Sequence, residues 1–333
     1  MRAGGRPGPS QRQAGGAAPL RGLDAKLYNC ALPERGVCSP RLDALPEDAM
    51  TKTNRAEIKG HLPRIQTAPP DHHLQGGGAT DVGLRREANE DSYLLLPKNG
   101  LWIVADGMGG HAGGQVASSL TVLTCGEAIL RRLSEAEDQA RTEGGRVNVG
   151  SLLEAGVREA CAKVYDTARV RPELTGMGST VTLLLFYGPF AWVAHVGDSR
   201  AYLVRDGRIH QVTEDHSLVQ EQVTAGLITP EQARISVMRN IITRSIGFER
   251  DVKVDVAALP VSRGDRFMLC SDGLTGHVDD AGILRVLTEH DVRTAPKTLV
   301  DLANIGGGED NSTVVVIEVK GARGRSRGKR SAA

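Results

Sequence analysis

The sequence predicts an α+β fold of largely antiparallel strands and two long helices, and three observations carry that expectation. Apolar residues recur at helical spacing in two stretches, Val116, Leu120, Leu123, Leu130 and Leu133, then Leu153, Val157, Ala160, Val164 and Ala168, so each stretch has one face to bury. Runs of β-branched, aliphatic and aromatic residues follow, from Val181 to Tyr187 and from Phe190 to Val196. Between Ala201–Val204 and Arg208–Val212 stands the short turn Arg205-Asp206-Gly207, which joins antiparallel neighbours.

Taken in order, residues 1–75 mix Gly, Pro, Ala and Arg without a sustained period and are expected to form a disordered extension. Met50 is a second candidate start. From Gly76 to Val319 the pattern is that of one continuous domain, residues 76–319. Residues 216–247 interrupt its strands with a short helical stretch ending around Gly226, then Thr229-Pro230-Glu231-Gln232. That tetrapeptide reads as a helix start, with a capping Thr, a first-turn Pro and a reciprocal Gln. Such an excursion is either a flap beside a site or a packing decoration. The tail, residues 320–333, carries Lys320, Arg323, Arg325, Arg327, Lys329 and Arg330 without an acid, and reads as a basic, solvated, disordered end.

Composition excludes several function classes. The formal net charge is +1 and aromatics make up 3% of 333 residues, so neither a basic field nor stacking platforms favour nucleic acid as a partner. No apolar run is long enough to span a bilayer, and no secretory signal opens the chain. Five cysteines show no paired metal-ligand spacing, which fits a reducing cytoplasm. A cytoplasmic monomer is the expectation.

Chemistry enters through aspartates. Three apolar runs end on one, Leu101 to Asp106, Ala191 to Asp198 and Arg266 to Asp272, while Asp310 precedes the run Thr313–Val319. Any single Asp-Gly pair is first of all a turn, and Asp206-Gly207 is read as one. Carboxylates delivered to strand ends can converge, however, and convergence costs free energy unless a cation neutralises it. Hard oxygen ligands without a Cys or His cluster select Mg²⁺ or Mn²⁺ over zinc. Arg86, Asn89, Glu90 and Asp91 make either a polar loop or, beside such a cluster, a site where the planar fork of Arg86 shares an anion such as phosphate.

The motifs Gly83-Leu-Arg-Arg86-Glu-Ala-Asn-Glu90-Asp91-Ser92, Ala105-Asp106-Gly-Met-Gly-Gly-His111, Gly176-Met-Gly-Ser-Thr180, Val196-Gly-Asp198-Ser-Arg200, Cys270-Ser-Asp272-Gly273 and Gly308-Glu-Asp310-Asn311 resemble, in order, those of the type 2C, metal-dependent (PPM) serine/threonine protein phosphatases, especially bacterial members. The resemblance covers about residues 79–319. It implies two packed β-sheets flanked by helices, an α-β-β-α sandwich with metals at one end, bordered by the flap. It implies that Asp106 bridges two metals, that the Gly107 carbonyl completes one coordination sphere, and that Asp272 and Asp310 hold the first ion. Glu90 and Asp91 would hold the second through water, Asp198 a weaker third, and Arg86 the phosphate. Gly276 stands where some members place a further aspartate, which weakens the expected third site. Met108 occupies the place of a proposed general-acid histidine; His111 either substitutes for it or serves a helix start.

The implied reaction is hydrolysis of phosphoserine and phosphothreonine in proteins, by direct attack of a metal-activated water bridging two Mn²⁺ or Mg²⁺ ions. Arg86 and Asp106 would stabilise and organise the reacting groups, and His111 or water would protonate the leaving alkoxide. Serine/threonine kinases are candidate substrates. Cys270, in a buried apolar setting, is not expected to act as a nucleophile. Two other readings stay open, a catalytically silent module that binds phosphoproteins or scaffolds a complex, and a phosphatase of small phosphoesters.

Overall fold

The structure, a computed structural model, describes residues 55–56, 72–109 and 113–321. In chain order these form β1 (Arg55–Ala56), β2 (His72–Asp81), β3 (Ser92–Leu96), β4 (Leu101–Ala105), β5 (Gly107–Met108), α1 (Gly113–Glu143), α2 (Val149–Val170), β6 (Gly178–Ser179), β7 (Val181–Tyr187), β8 (Phe190–Val196), β9 (Arg200–Arg205) and β10 (Arg208–Gln211). There follow α3 (Leu218–Thr224), α4 (Pro230–Arg234), β11 (Asp255–Pro260), β12 (Arg266–Cys270), α5 (Asp272–Thr275), α6 (Asp280–Glu289), α7 (Ala295–Ile305) and β13 (Ser312–Gly321).

Two large sheets result among the described residues, one in the order β1-β3-β4-β7-β8-β11 and one in the order β10-β9-β12-β13-β2, beside a two-stranded pair β5-β6. Every pairing is antiparallel except β1 with β3. The strand period explains why they stack. Along β4, Leu101, Ile103 and Ala105 join the core under α1 and α2, whereas Trp102 and Val104 join the core between the sheets, since successive side chains point to opposite faces. Edge-to-face contacts run from Trp102 to Phe186 (5.5 Å) and on to Phe267 (5.4 Å) of the other sheet. A third core packs β9, β12 and β13 against α5, α6 and α7, which completes the helix–sheet–sheet–helix order of the expected sandwich.

The expected helical faces are the buried ones: Val116, Leu120, Leu130 and Leu133 of α1 and Leu153, Val157, Ala160 and Val164 of α2 lie in one core, with Leu123 and Ala168 half-buried against it. Asp206 (φ 52°) and Gly207 (φ 71°) form the β9–β10 hairpin turn, both in the left-handed region such a turn requires. Thr229 and Gln232 make the reciprocal capping box at the start of α4.

The domain boundary set at residue 76 needs correction, because β2 starts at His72 and pairs along its whole length with β13, His72 opposite Gly321 and Asp81 opposite Ser312. The run Gly76-Gly77-Gly78 inside β2 is a packing requirement. A Cβ at Gly78 would stand 2.9 Å from the Tyr93 ring, and one at Gly76 would stand 3.0 Å from the Trp102 indole nitrogen. Likewise Lys320 and Gly321 belong to β13 and not to the tail. The rest of the expected extension, beyond Arg55–Ala56 and His72–Gln75, and the rest of the tail lie outside the described residues, as does His111. Among the described residues no helix is long and apolar enough to cross a membrane.

Candidate metal centre

β4, β8 and β12 all end toward one edge of the sandwich, and each hands the chain an aspartate there. Asp106 follows β4, Asp198 lies in the turn from β8 to β9, and Asp272 opens α5 directly after β12. Asp310 precedes β13, the neighbour of β12. All four line one open cleft of ≈ 810 Å³ together with Arg86, Glu90, Gly107 and Met108. Its other wall comes from the flap and the residues after it, including Asn240, Ile242, Thr243 and Phe248.

Backbone contacts hold the acids in place. The Asp106 N–H donates to Thr180 Oγ1 (2.9 Å), while its carbonyl accepts from the Thr180 N–H (2.8 Å) and Ser179 Oγ (3.0 Å). Gly107 is buried in β5 against β6, and a Cβ there would run into the Gly114 carbonyl, so no larger residue allows this approach of strand to helix. The start of α1 serves Glu90, whose carboxylate accepts from the Gly114 N–H; a helix N-terminus favours an anion there. Asp91 is not on the cleft surface. It lies fully buried behind it, where Ser271 Oγ donates to its Oδ2 at 2.7 Å.

Asn311 shapes the loop that carries Arg86. Its Oδ1 accepts from the Glu90 N–H (2.7 Å), and its Nδ2 donates to the carbonyls of Val82 (2.9 Å) and Ala88 (3.0 Å). The guanidinium of Arg86 donates from Nη2 to Asp310 Oδ2 at 2.7 Å, with both side chains part-exposed.

Electrostatics follow from this crowding. Burial first, and then Asp91, Asp272, Asp198 and Asp310, hold the Asp106 carboxyl well above the usual carboxylate range. Burial and Asp310 raise Asp272. Asp198 is pushed up to about 8 by burial, Asp272 and Asp215, and Asp91 to about 7 by burial, against hydrogen bonds from Thr313 and Ser271. Burial also raises Glu90. By surface Asp106 and Asp272 are only half-buried, yet their carboxylates lie deep enough for burial to lead.

A divalent ion fits these residues on two counts. The donors are all oxygen, the set that hard cations take, and Asp272 Oδ1 is buried without a hydrogen-bond partner, a costly state that a cation would relieve. Among the described residues, no three His, Cys, Asp or Glu side chains close on one point as a finished cage would. The acids line one cleft instead. Gly276 caps the end of α5 through its N–H to the Asp272 carbonyl (2.8 Å) and brings no carboxylate. Cys270 is fully buried, and burial pushes its thiol up to about 12, which leaves it inert.

Sequence reasoning passed over Ser271, Asp215 and His216. Asp215 holds Arg200 through Nε and Nη2 at 2.7–3.0 Å, and His216 contacts the turn before Asp198. The signal available was position: Asp215 and His216 come shortly after the β9–β10 hairpin, and Ser271 stands between β12 and Asp272.

Comparison with known proteins gives consistent matches. The sequence model of the family described as Protein phosphatase 2C matches residues 85–301. The serine/threonine protein phosphatase PstP of Mycobacterium tuberculosis is 39% identical over 246 residues, 74% of this chain, and the chain spans only 45% of that relative's length. The serine/threonine phosphatase stp of Listeria innocua is 35% identical over 72% of this chain and 93% of its own. A crystal structure of the catalytic domain of PstP in complex with two manganese ions superposes with a TM-score of 0.62 at 37% identity, covering 75% of this chain and 99% of that one.

Proposed function

The chain belongs to the protein phosphatase 2C family, and from that membership we propose that it hydrolyses phosphoserine and phosphothreonine in proteins with the help of two divalent cations, Mn²⁺ or Mg²⁺. The observation that carries the reading is the convergence of Asp106, Asp198, Asp272 and Asp310 with Arg86 on one cleft.

Asp106, the Gly107 carbonyl, Asp272 and Asp310 would hold the two ions, with Glu90 and Asp91 holding the second largely through water and Asp198 a weaker third. Bound there, the ions would supply a water acidified to act near neutral pH and positive charge for the phosphoryl oxygens. The chain's own residues do the remaining work. Arg86 offers a planar fork to the phosphate oxygens and orients the phosphorus for in-line attack. Asp106, fixed at its backbone by Thr180, sets the point about which the acids are arranged. The leaving alkoxide takes its proton from solvent or from His111. No covalent phosphoenzyme is needed, and the buried thiol of Cys270 supplies none. This reading takes the chain as a cytoplasmic monomer, with serine/threonine kinases as the first phosphoproteins to test.

The deciding experiment gives the purified chain Mn²⁺ and a phosphothreonine peptide. Release of phosphate that stops with a chelator and returns with added metal is expected. A chain that binds the phosphopeptide yet never turns it over at any Mn²⁺ or Mg²⁺ concentration would instead be the silent scaffold. A chain that hydrolyses only small phosphoesters would be the third reading.

A further inference from the structure

Under the cleft lies a buried knot of polar side chains that takes no part in the steps above. His216 follows β10 at the base of the flap, is 4% exposed, and packs against His195 of β8 with ring centroids 4.7 Å apart and planes tilted by 39°. β11 pairs with β8 so that Asp255 stands opposite His195, which brings its carboxylate to His216.

His216 grips both backbone groups of Gly197, and so the two successive peptides that flank it. Its own N–H donates to the Gly197 carbonyl at 2.7 Å, and the Gly197 N–H donates to its Nδ1 at 3.0 Å. Because Nδ1 accepts, the neutral ring carries its proton on Nε2, and Nε2 donates to Asp255 Oδ2 at 3.1 Å. Arg244, at the far end of the flap, donates from Nη1 to Asp255 Oδ1 at 3.0 Å. That Nη1 also lies 3.0 Å from His216 Nε2, and the Asp255 carboxylate offsets this approach of two donors. Gly197 meanwhile has φ 111°, and a Cβ on it would stand 2.6 Å from Thr180. Gly197, the residue before Asp198, is thus clamped between Thr180 and His216 in a conformation other residues rarely adopt.

We propose that His216 is a positioning residue for Asp198: by clamping the backbone of Gly197 it aims the Asp198 carboxylate into the cleft, and Asp255 with Arg244 fixes the His216 tautomer that makes the clamp possible. The proposal rests on the reading of Asp198 as a cation ligand. Groups that orient a ligand from behind, when removed, typically cost about 10–100-fold in metal affinity.

The test is Mn²⁺ calorimetry on the full chain. Asp198→Ala identifies the binding step that Asp198 serves. His216→Phe keeps a ring for packing but has no acceptor, and should weaken that same step about tenfold or more while the tighter steps hold. His216→Asn, whose Oδ1 can take the place of Nδ1, should recover most of the loss. In the double variant Asp198→Ala with His216→Phe the losses should not add, since one acts through the other. Unchanged affinities in a folded His216→Phe chain, or fully additive losses, would overturn the proposal. Should His216→Phe fail to fold, Asp255→Ala, which releases the Nε2 proton and frees the other tautomer, must weaken the same step, and an unaltered titration overturns the idea equally. A wild-type chain that takes up no Mn²⁺ would bring down the metal-centre reading itself, a result distinct from wild-type binding that His216 does not influence.

Discussion

Arg86 and Asp310, 224 positions apart in the chain, meet through one hydrogen bond of 2.7 Å between Nη2 and Oδ2. On the proposed reading the contact sets the cation meant for the phosphate against an anion meant for the metal, and each side chain holds the other in place. A guanidinium has five donors in a fixed fork, and the Asp310 bond uses one of them. Arg86→Ala should therefore raise KM for a phosphothreonine peptide about 10–100-fold, the scale of a lost hydrogen bond between charged groups, with a smaller fall in kcat. Arg86→Lys should not restore it, because a point charge cannot make the bidentate contact. An unchanged KM in either variant would remove Arg86 from the phosphate site.

Asp272→Asn separates stability from function. The side chain is nearly isosteric, and the lost charge relieves repulsion with Asp310 and the rest of the cluster. The metal-free variant should melt no lower than the wild type, while turnover falls about 100–1000-fold, the scale for removing a group that stabilises developing charge. Melting curves with a chelator, beside initial rates across a Mn²⁺ series, check both halves. A large drop in melting temperature with near-normal turnover would reverse the assignment.

The raised carboxyls make the metal-free chain sensitive to pH in a stated direction. Burial and the neighbouring acids push Asp91 up to about 7 and Asp198 up to about 8 in the folded chain, against an ordinary aspartate value of 3.8. Between those limits the folded chain binds more protons than the unfolded one, so stability falls as pH rises. Buried His195, held down to about 3 from 6.5 chiefly by burial, works in the opposite direction, but only below about pH 6.5. From pH 6.5 to 8 the chelated protein should lose melting temperature, and saturating Mn²⁺ should flatten the slope by neutralising the ionised acids. A chelated chain that gains stability across that window would show the acids to be less crowded than described.

Much of this arrangement was legible in the chain. The run from Leu101 to Ala105 alternates between two buried faces and stops on Asp106, so strand and site could be read from one stretch. The hairpin at Asp206-Gly207 followed from its two left-handed residues. Other parts were hidden for physical reasons. The start of β2 at His72 is one, since nothing local shows that Trp102 and Tyr93 of the other sheet press against Gly76 and Gly78. Asp91 reads as one more loop acid, since its burial depends on Ser271, 180 positions away. His216 is passed over in the same way, because its role is created by β11 pairing with β8. Helices α6 and α7 were not separately predicted, although their apolar faces fill the third core.

Asn311 offers the sharpest test of how the loop is held. At 5% exposure its amide is hidden from solvent, and it satisfies the Glu90 N–H and the carbonyls of Val82 and Ala88 at once. Asn311→Ala strands these groups, each worth about 1–3 kcal/mol when buried without a partner, although partial exposure of the loop limits the sum to about 3 kcal/mol. For a domain of this size that corresponds to a melting point lower by about 6–12 °C. Asn311→Asp should be no better, because a carboxylate accepts from Glu90 but cannot donate to two carbonyls. The loop between those carbonyls carries Arg86, so in both variants KM for a phosphopeptide should rise at temperatures well below the melting point. A chain that loses stability but keeps its KM would mean that Arg86 is placed by Asp310 alone.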